Sequence, residues 1–443
     1  MRLSYVYQES ETAAGHKMDL DYTLKIMVLL VWLFTEISLF FRSVTMSVES
    51  MISLSSSSLF FSFIILLIAI VPFGVAVKSR KQVAVKIAMT LTVIGFLAQL
   101  NYFILRWVAS GHAPVSNLNE FLTFFGIMLV GSFLVFYYLY RQPVVGLFLL
   151  PVAILIIAYA SMFANEVTPL IPALQSYWLT IHVITVATAS AVLSVSFVTG
   201  LIYLLKHIDT AQKGKRSFFL ELILYFLVVV IGFILVTSVF RISDYSASYQ
   251  FENQQGEVQV YDYAMPAIVV PIDAEPVTGT AGSYETANHY AGLLEIPNSI
   301  ETAKLNSVLW SFLMGSVLYL LIRLITRKKI AQLLQPFTNK VNLTLMDEIS
   351  YRSVAIGFPL FALGGLFFAM IWAQIAWSRF WGWDPKEVWA LITFLFYAAF
   401  LHLRIGKEWT GEKTAWLAII GFGTIIFNQI FVNLVIAGLH SYA

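Results

Sequence analysis

The sequence predicts an all-α polytopic membrane protein of about 11 transmembrane helices that carries a small β-rich extracytoplasmic insertion. Three observations predict it. Of 443 residues, 59% are apolar and only 12% charged, where soluble domains carry about one quarter charged residues. Apolar runs of about 20 residues, the length that crosses a hydrocarbon core, recur along the chain, and mean hydropathy is +0.80. One long segment, 241–302, breaks the pattern with nine acidic residues and a single basic one, Arg241. A soluble enzyme of ordinary surface is therefore excluded. The 27 Lys and Arg nearly balance the 25 Asp and Glu, so no electrostatic footprint for nucleic acid exists. With 0 cysteines, disulfides, thiolate metal sites and a catalytic thiol are excluded as well.

The spans are read near 24–41, 58–77, 87–107, 118–140, 144–164, 178–205, 218–239, 304–325, 353–376, 387–404 and 415–436. The first is the weakest: it is short, carries Glu36, and follows a segment without the basic n-region and small-residue cleavage site of a signal peptide. Between it and the second span, Ser-rich 50–58 reads as a flexible outer loop. The basic segments 1–25, 78–86, 141, 206–216, 323–352 and 404–413 fall on one side. Only Arg42, Arg106, Arg241, Lys304, Arg379 and Lys386 remain opposite. The positive-inside rule makes the basic side cytoplasmic, with the N-terminus on it and the C-terminus extracytoplasmic. The loops 109–117, 165–177 and 377–386 are then outside, as is 241–302. Within that insertion, the alternation from Glu257 to Tyr263 and the run from Ala267 to Pro271 read as short strands. Four regions result: an N-terminal segment 1–57, membrane helices over 58–240, the acidic loop 241–302, and membrane helices with a Trp-rich loop over 303–443. No internal repeat is visible. Without a transit peptide, a bacterial inner membrane is the expected location, with a thylakoid membrane as the alternative.

The densest unusual stretch runs from Trp372 through Trp377, Arg379, Trp381, Trp383, Asp384, Pro385, Lys386 and Glu387 to Trp389. An aromatic belt explains one or two tryptophans at a helix end. Asp384, with Pro385 at N1 and Glu387 at N3, has the spacing of a capping box. Crowding of five indoles around one loop fits a second role, since several large flat faces at one mouth hold a planar apolar ligand by stacking. Arg379 and Lys386 supply cations that can pair with carboxylates on such a ligand.

Of seven histidines, His182 lies about one turn inside the outer end of its span, and His440 lies at the outer end of the last. Each alone reads equally well as an interfacial histidine bonded to a neighbour. Together, two imidazoles across a flat cavity are suited to clamp a haem iron. His402 follows Asp384 by about 27 Å of helix, which puts it near the cytoplasmic face beside Arg404. His207 reads as solvated, and His289 and His16 as surface residues. Asn433, two turns before His440, reads as pointing into the bundle. Asn117 and Glu120 have N-cap and N3 spacing, and His112 is a candidate for the mouth of the same cavity.

At these residues the chain resembles the CcsA/ResC family of System II cytochrome c biogenesis, haem-handling membrane proteins with a Trp-rich WWD motif. The match is densest from Asp347-Glu348-Ile349-Ser350-Tyr351-Arg352 through the Trp loop to Leu401-His402-Leu403-Arg404. It continues over Val432-Asn433 and Gly438-Leu439-His440-Ser441-Tyr442, and extends more thinly over 85–205, including His112 to Glu120 and Trp178 to Val183. The resemblance implies an outer site for haem b, its iron axially ligated by His182 and His440. The ring would be held by Trp377, Trp381, Trp383, Asp384, Trp389 and Arg379. It also implies a membrane-embedded ligand, His402, whose partner ligand sits on a companion CcsB/ResB-like subunit. Ser378 stands where the loop usually has Gly, and the first span and 218–325 have no clear counterpart.

The implied function is haem transport across the membrane and presentation for thioether attachment to an apocytochrome c CxxCH motif. The chain would act as a cytochrome c haem lyase (synthase) subunit active with its companion; no catalytic residue of its own is assigned. Thiol-reducing proteins acting on the apocytochrome are further implied partners. The alternatives are a haem-binding chaperone or exporter without ligase activity and an unrelated quinone-linked transport subunit.

Overall fold

In a computed structural model of the chain, the structure describes residues 47–163, 170, 172–252, 256–280, 283–286, 292–297 and 301–432. Ten helices among them are long and apolar enough to cross a membrane, which makes this an integral membrane protein. They are α1 (Val48–Ser79), α2 (Gln82–Ser110), α3 (Leu118–Tyr140), α4 (Pro143–Ala160), α5 (Tyr177–His207), α6 (Lys215–Ile242), α7 (Thr302–Thr326), α9 (Leu343–Trp377), α10 (Pro385–Gly406) and α11 (Glu412–Phe431). A short α8 (Ile330–Leu334) lies in the connection before α9. The weak span at 24–41 lies outside the described residues.

One expectation is corrected at the start of α1. The Ser-rich stretch 50–58 is helix and not loop, because the span begins at Val48 behind an Ser47 N-cap whose hydroxyl accepts from Ser50 N at 3.2 Å. The hydroxyls of Ser57 and Ser58 donate back to Ser53 O and Leu54 O, both at 2.9 Å. Serine satisfies itself on the helix in this way, so a serine run is compatible with a helix that leaves water.

The chain alternates direction through the bundle, so the loops 80–81, 141–142, 208–214, 327–342 and 407–411 share one face. That face carries the basic residues and is called the basic face below. At the centre α5 packs on α3, α9 and α11; the rings of Phe197 and Phe422 stack at 4.2 Å between α5 and α11. Outside this centre, α1 pairs with α2 and α6 with α7. The second pair meets at its glycines: a Cβ on Gly232 would stand 2.5 Å from Gly315 N. Small residues there let two backbones touch where no hydrophobic drive operates between helices.

The insertion between α6 and α7 is β-rich, as its alternation predicts. Strand β2 (Val258–Tyr263) pairs antiparallel with β1 (Ala247–Glu252), Ala247 standing opposite Tyr263. The strands β3 (Val269–Pro271), β4 (Glu275–Thr280), β5 (Ser283–Thr286) and β6 (Leu294–Ile296) complete a four-stranded sheet of order β2-β1-β4-β5 and a parallel pair β3-β6. The unit is seated on the start of α7. Tyr263 OH donates to Thr302 Oγ1 at 2.6 Å, Trp310 Nε1 to Pro266 O at 2.7 Å, and Ile268 N to Asn306 Oδ1 at 2.7 Å.

Candidate functional site: an aromatic cavity opposite the basic face

Two helix features position His182. Ser176 caps α5 by accepting from Trp178 N at 3.2 Å, which starts the helix so that His182 falls in its second turn. Facing it, α9 is interrupted by a π-helical segment, Ala362–Phe368. A π segment disturbs the regular ladder of helix hydrogen bonds and commonly marks a functional position. Here Gly364 O accepts from His182 Nδ1 at 2.8 Å. A carbonyl can only accept, so Nδ1 carries the proton and Nε2 of the neutral ring carries the lone pair. Glycine is required at 364 by contact, because a Cβ there would lie 2.6 Å from Val186 N of α5.

Next to His182, the ring of Trp372 lies nearly parallel to the imidazole, at 5.9 Å and 9°. Trp372 is buried and meets Trp377 edge-on at 4.8 Å. The helix ends there: Ser378 adopts φ 56°, the left-handed conformation that favours glycine. Trp383, also left-handed at φ 57°, is 70% exposed and stands edge-on to Trp381 at 5.8 Å. The guanidinium of exposed Arg379 lies over Gly382, where a Cβ would come within 2.6 Å of it.

The capping box is present as the spacing predicts. Asp384 Oδ2 accepts from Lys386 N at 3.3 Å, and Glu387 Oε2 accepts from Gly382 N at 2.7 Å and Asp384 N at 3.1 Å. Asp384 is buried, and the cap fixes the loop that presents Trp381. Asp384→Asn should melt within a degree or two of the native protein, since Asn caps equally well. Asp384→Ala should lose about 1 kcal/mol, read as a lower Tm of the purified chain.

These groups surround a partly open cavity of about 1080 Å³, open solvent included. Among the described residues that line it are Asn117 before α3, Leu179 and His182 of α5, Trp372 of α9, Trp381 of the loop, Lys386 and Glu387 of α10, and Asn428 and Gln429 of α11. Of the predicted site residues, His182 and Trp381 are on the wall. Trp377 backs Trp372, and Trp383 backs Trp381. Trp389 packs on Phe427 at 4.2 Å, and Arg379 faces outward. His112, half-buried, bonds Ala113 O through Nδ1 at 3.1 Å and is not among the lining residues. His402 is exposed on α10 near the basic face and is not brought to this cavity. His440 and Asn433 lie outside the described residues, as do His16 and His289.

Two sets of residues went unread in the sequence. Asn428 and Gln429 are buried on a second π segment, Phe427–Phe431. Asn428 Oδ1 and Trp381 Nε1 are buried without a hydrogen-bond partner among the described residues, which leaves one acceptor and one donor for a bound molecule. Adjacent amides inside an apolar span were the available signal, because such groups are costly in a bilayer. The second set is the ion pair of Arg106 and Glu120, 2.9 Å apart and each only 2% exposed. Glu120 N bonds the Asn117 cap as expected, but its carboxylate turns to Arg106 and accepts from Ser116 N and Oγ at 3.0 and 2.8 Å. That clasp holds the 113–117 segment, which forms one wall of the cavity.

Sequence comparison places this architecture among known proteins. The family model described as Cytochrome C assembly protein matches residues 308–440, the part that contains the π segments and the Trp loop. The cytochrome c biogenesis protein CcsA of Microcystis aeruginosa is 31% identical over 341 residues, 76% of this chain and 81% of the relative. The CcsA of Pyropia yezoensis is 29% identical over 362 residues, 81% of this chain and 84% of the relative. The CcsA of Prochlorococcus marinus strain NATL2A extends the likeness, at 31% identity, to 86% of this chain and 92% of its own length; on that shared span the chain belongs to the CcsA family of cytochrome c biogenesis proteins.

Proposed function

We propose that this chain binds haem b as its cargo, moves it across the membrane and presents it for thioether attachment to the CxxCH motif of an apocytochrome c. The coarser part, a role in cytochrome c biogenesis, follows from family membership. The observation that carries the finer part is the His182 hydrogen bond to Gly364 O. A ligating imidazole characteristically donates its other N–H to a carbonyl or carboxylate, which fixes the tautomer and the ring direction. In this reading His182 and His440 are the two axial ligands, Trp372, parallel to the His182 imidazole, braces that ring, and Trp381 contacts the macrocycle. Trp381 Nε1 and Lys386 offer donors to the carboxylates at its edge. His402 receives haem on the basic face, with the second ligand supplied by a CcsB/ResB-like subunit. The positive-inside rule makes that face cytoplasmic, in a bacterial inner membrane or a thylakoid. The reacting thiols belong to the apocytochrome, where thiol-reducing proteins keep them reduced; this accords with a chain of 0 cysteines.

The test is the absorption spectrum and synthase activity of the purified full chain, alone and with its companion subunit. A Soret band in the chain, and covalent cytochrome c on adding the companion, are expected. A Soret band without any covalent product would favour a haem chaperone or exporter. Absence of haem from both preparations would sink the proposal. Trp381→Ala should lower haem occupancy at unchanged expression, and a loss of expression with normal haem per molecule would instead assign Trp381 to interfacial anchoring.

The acidic insertion sits on the cavity's face of the bundle, and Arg241 at its neck donates to Ser161 O and Met162 O at 3.1 and 3.0 Å. We assign it a steering role for basic apocytochromes. Replacing 243–300 by a Gly/Ser linker should slow attachment while leaving haem content intact. The native protein should lose substrate affinity as salt shortens the Debye length to about 8–10 Å. Unchanged kinetics in the deletion would make the insertion a passive excursion.

A further inference from the structure

At the other face of the bundle, the ends of α1, α2, α3 and α4 and the connection before α9 enclose a second cavity of about 1860 Å³, open solvent included. Its rim carries four cations, Arg80, Lys86, Arg141 and Lys340, and no carboxylate is among its described lining residues. None of the four takes part in an ion pair among the described residues. Their contacts are neutral ones: Lys340 Nζ donates to Lys78 O at 3.0 Å, and the Arg141 guanidinium lies 5.1 Å from the Tyr138 ring and 5.8 Å from that of Tyr137.

Helix ends of both polarities meet at the rim, so the positive field comes from the four side chains. The helices α2 and α4 both begin at this rim, behind Lys81 and Gln142, and neither has a side-chain cap. The negative dipole ends of α1 and α3 stand beside them, and α4 opens on Pro143, which has no N–H. Below the rim the lining turns apolar, with Val77, Met89, Val93, Leu134 and Phe337. The opening is lateral: α1 and α2 bury only 28% and 33% of their spans, and Val93 and Tyr138 are 41% and 55% exposed.

We propose that this cleft is a binding site for an anionic phospholipid, its headgroup phosphate held by Arg80, Lys86, Arg141 and Lys340 and its acyl chains by the apolar floor. Four like charges around one cleft repel one another until an anion enters. The cleft lies where apolar helix gives way to basic loop, the level at which phospholipid headgroups stand, and basic pockets between helices on such a face suit anionic headgroups. A free phosphate matches the cations but leaves the apolar floor in contact with water.

The full chain, purified in neutral detergent, should retain dioleoyl phosphatidylglycerol over dioleoyl phosphatidylcholine when the two are offered in mixed micelles and bound lipid is counted by native mass spectrometry. Retention should fall with salt, and by about fivefold for each cation removed in the series ending at Arg80→Gln/Lys86→Gln/Arg141→Gln/Lys340→Gln. All four residues are exposed, and Arg80 and Arg141 occupy left-handed caps that Gln tolerates as well as Arg. An unchanged Tm in phosphatidylcholine micelles is therefore expected. The pair Lys213→Gln/Lys328→Gln, on the same face but off the rim, should retain phosphatidylglycerol as the native chain does, and Met89→Trp should lose it by filling the floor. Equal retention of the two lipids by the native chain would overturn the proposal whether or not the quadruple variant folds. So would displacement of the lipid by inorganic phosphate at equal concentration, which makes the occupant a soluble phosphate. Displacement by stoichiometric haem would overturn it too, and would make the cleft a haem site.

Discussion

His182→Ala should abolish cytochrome c synthesis and remove the low-spin bis-imidazole signature from the haem spectrum of the purified protein. Imidazole added to the medium should restore part of both. In the proposed role the effect is large because the substitution deletes an iron ligand from a side chain that stands half-buried beside a cavity. Rescue separates ligation from folding, since free imidazole replaces a ligand and cannot refill a helix interface. Gly364→Val provides the complementary test. Its Cβ would fall 2.6 Å from Val186 N, so α9 and α5 must separate and the acceptor of His182 Nδ1–H moves away. Haem should be lost with His182 still present, and imidazole should restore less. His440→Ala is expected to behave as His182→Ala does. A native spectrum and full synthesis in both histidine variants would remove the outer-site assignment.

Breaking the Arg106–Glu120 pair should be the most destabilising single change outside the helix centre. Both side chains are 2% exposed and 2.9 Å apart; removing one partner leaves an uncompensated buried charge, a loss of about 3–5 kcal/mol. Glu120→Gln keeps an acceptor for Ser116 N but not the charge, and Arg106→Met keeps volume but not the charge. Each should lower the Tm of the purified protein and slow haem loading, because the 113–117 wall of the cavity loses its clasp. The double variant should be less destabilised than the sum of the two. A double-mutant cycle read by thermal unfolding measures that coupling; additive losses would show that the two charges do not stabilise each other.

Much of the architecture is local and was therefore legible. Apolar length set the spans, Lys and Arg marked one face, alternation located β2, and the Asp384-Pro385-Lys386-Glu387 spacing located a cap whose hydrogen bonds are present. Serine misled at 50–58, because its frequency in loops says nothing about a hydroxyl that can bond its own helix. The Trp loop was visible as a crowd of indoles, but its division of labour was not: Trp372 and Trp381 reach the cavity, while Trp377, Trp383 and Trp389 back other rings.

By itself the sequence determined a polytopic membrane protein, an acidic β-rich insertion and a crowd of indoles around one loop, because hydropathy, charge and turn chemistry act over a few residues and leave local traces. Only the tertiary structure decided that His182 carries its proton on Nδ1, that Glu120 pairs with Arg106, that Asn428 reaches the cavity, and that four rim cations share one cleft. Each of those facts joins separate helices, successive ones for Arg106 and Glu120 and distant ones for the rest, or depends on a π-helical shift in register, as at Gly364. Which side chains meet across a helix interface is set by rotation and offset of the helices, and these are settled when the bundle packs.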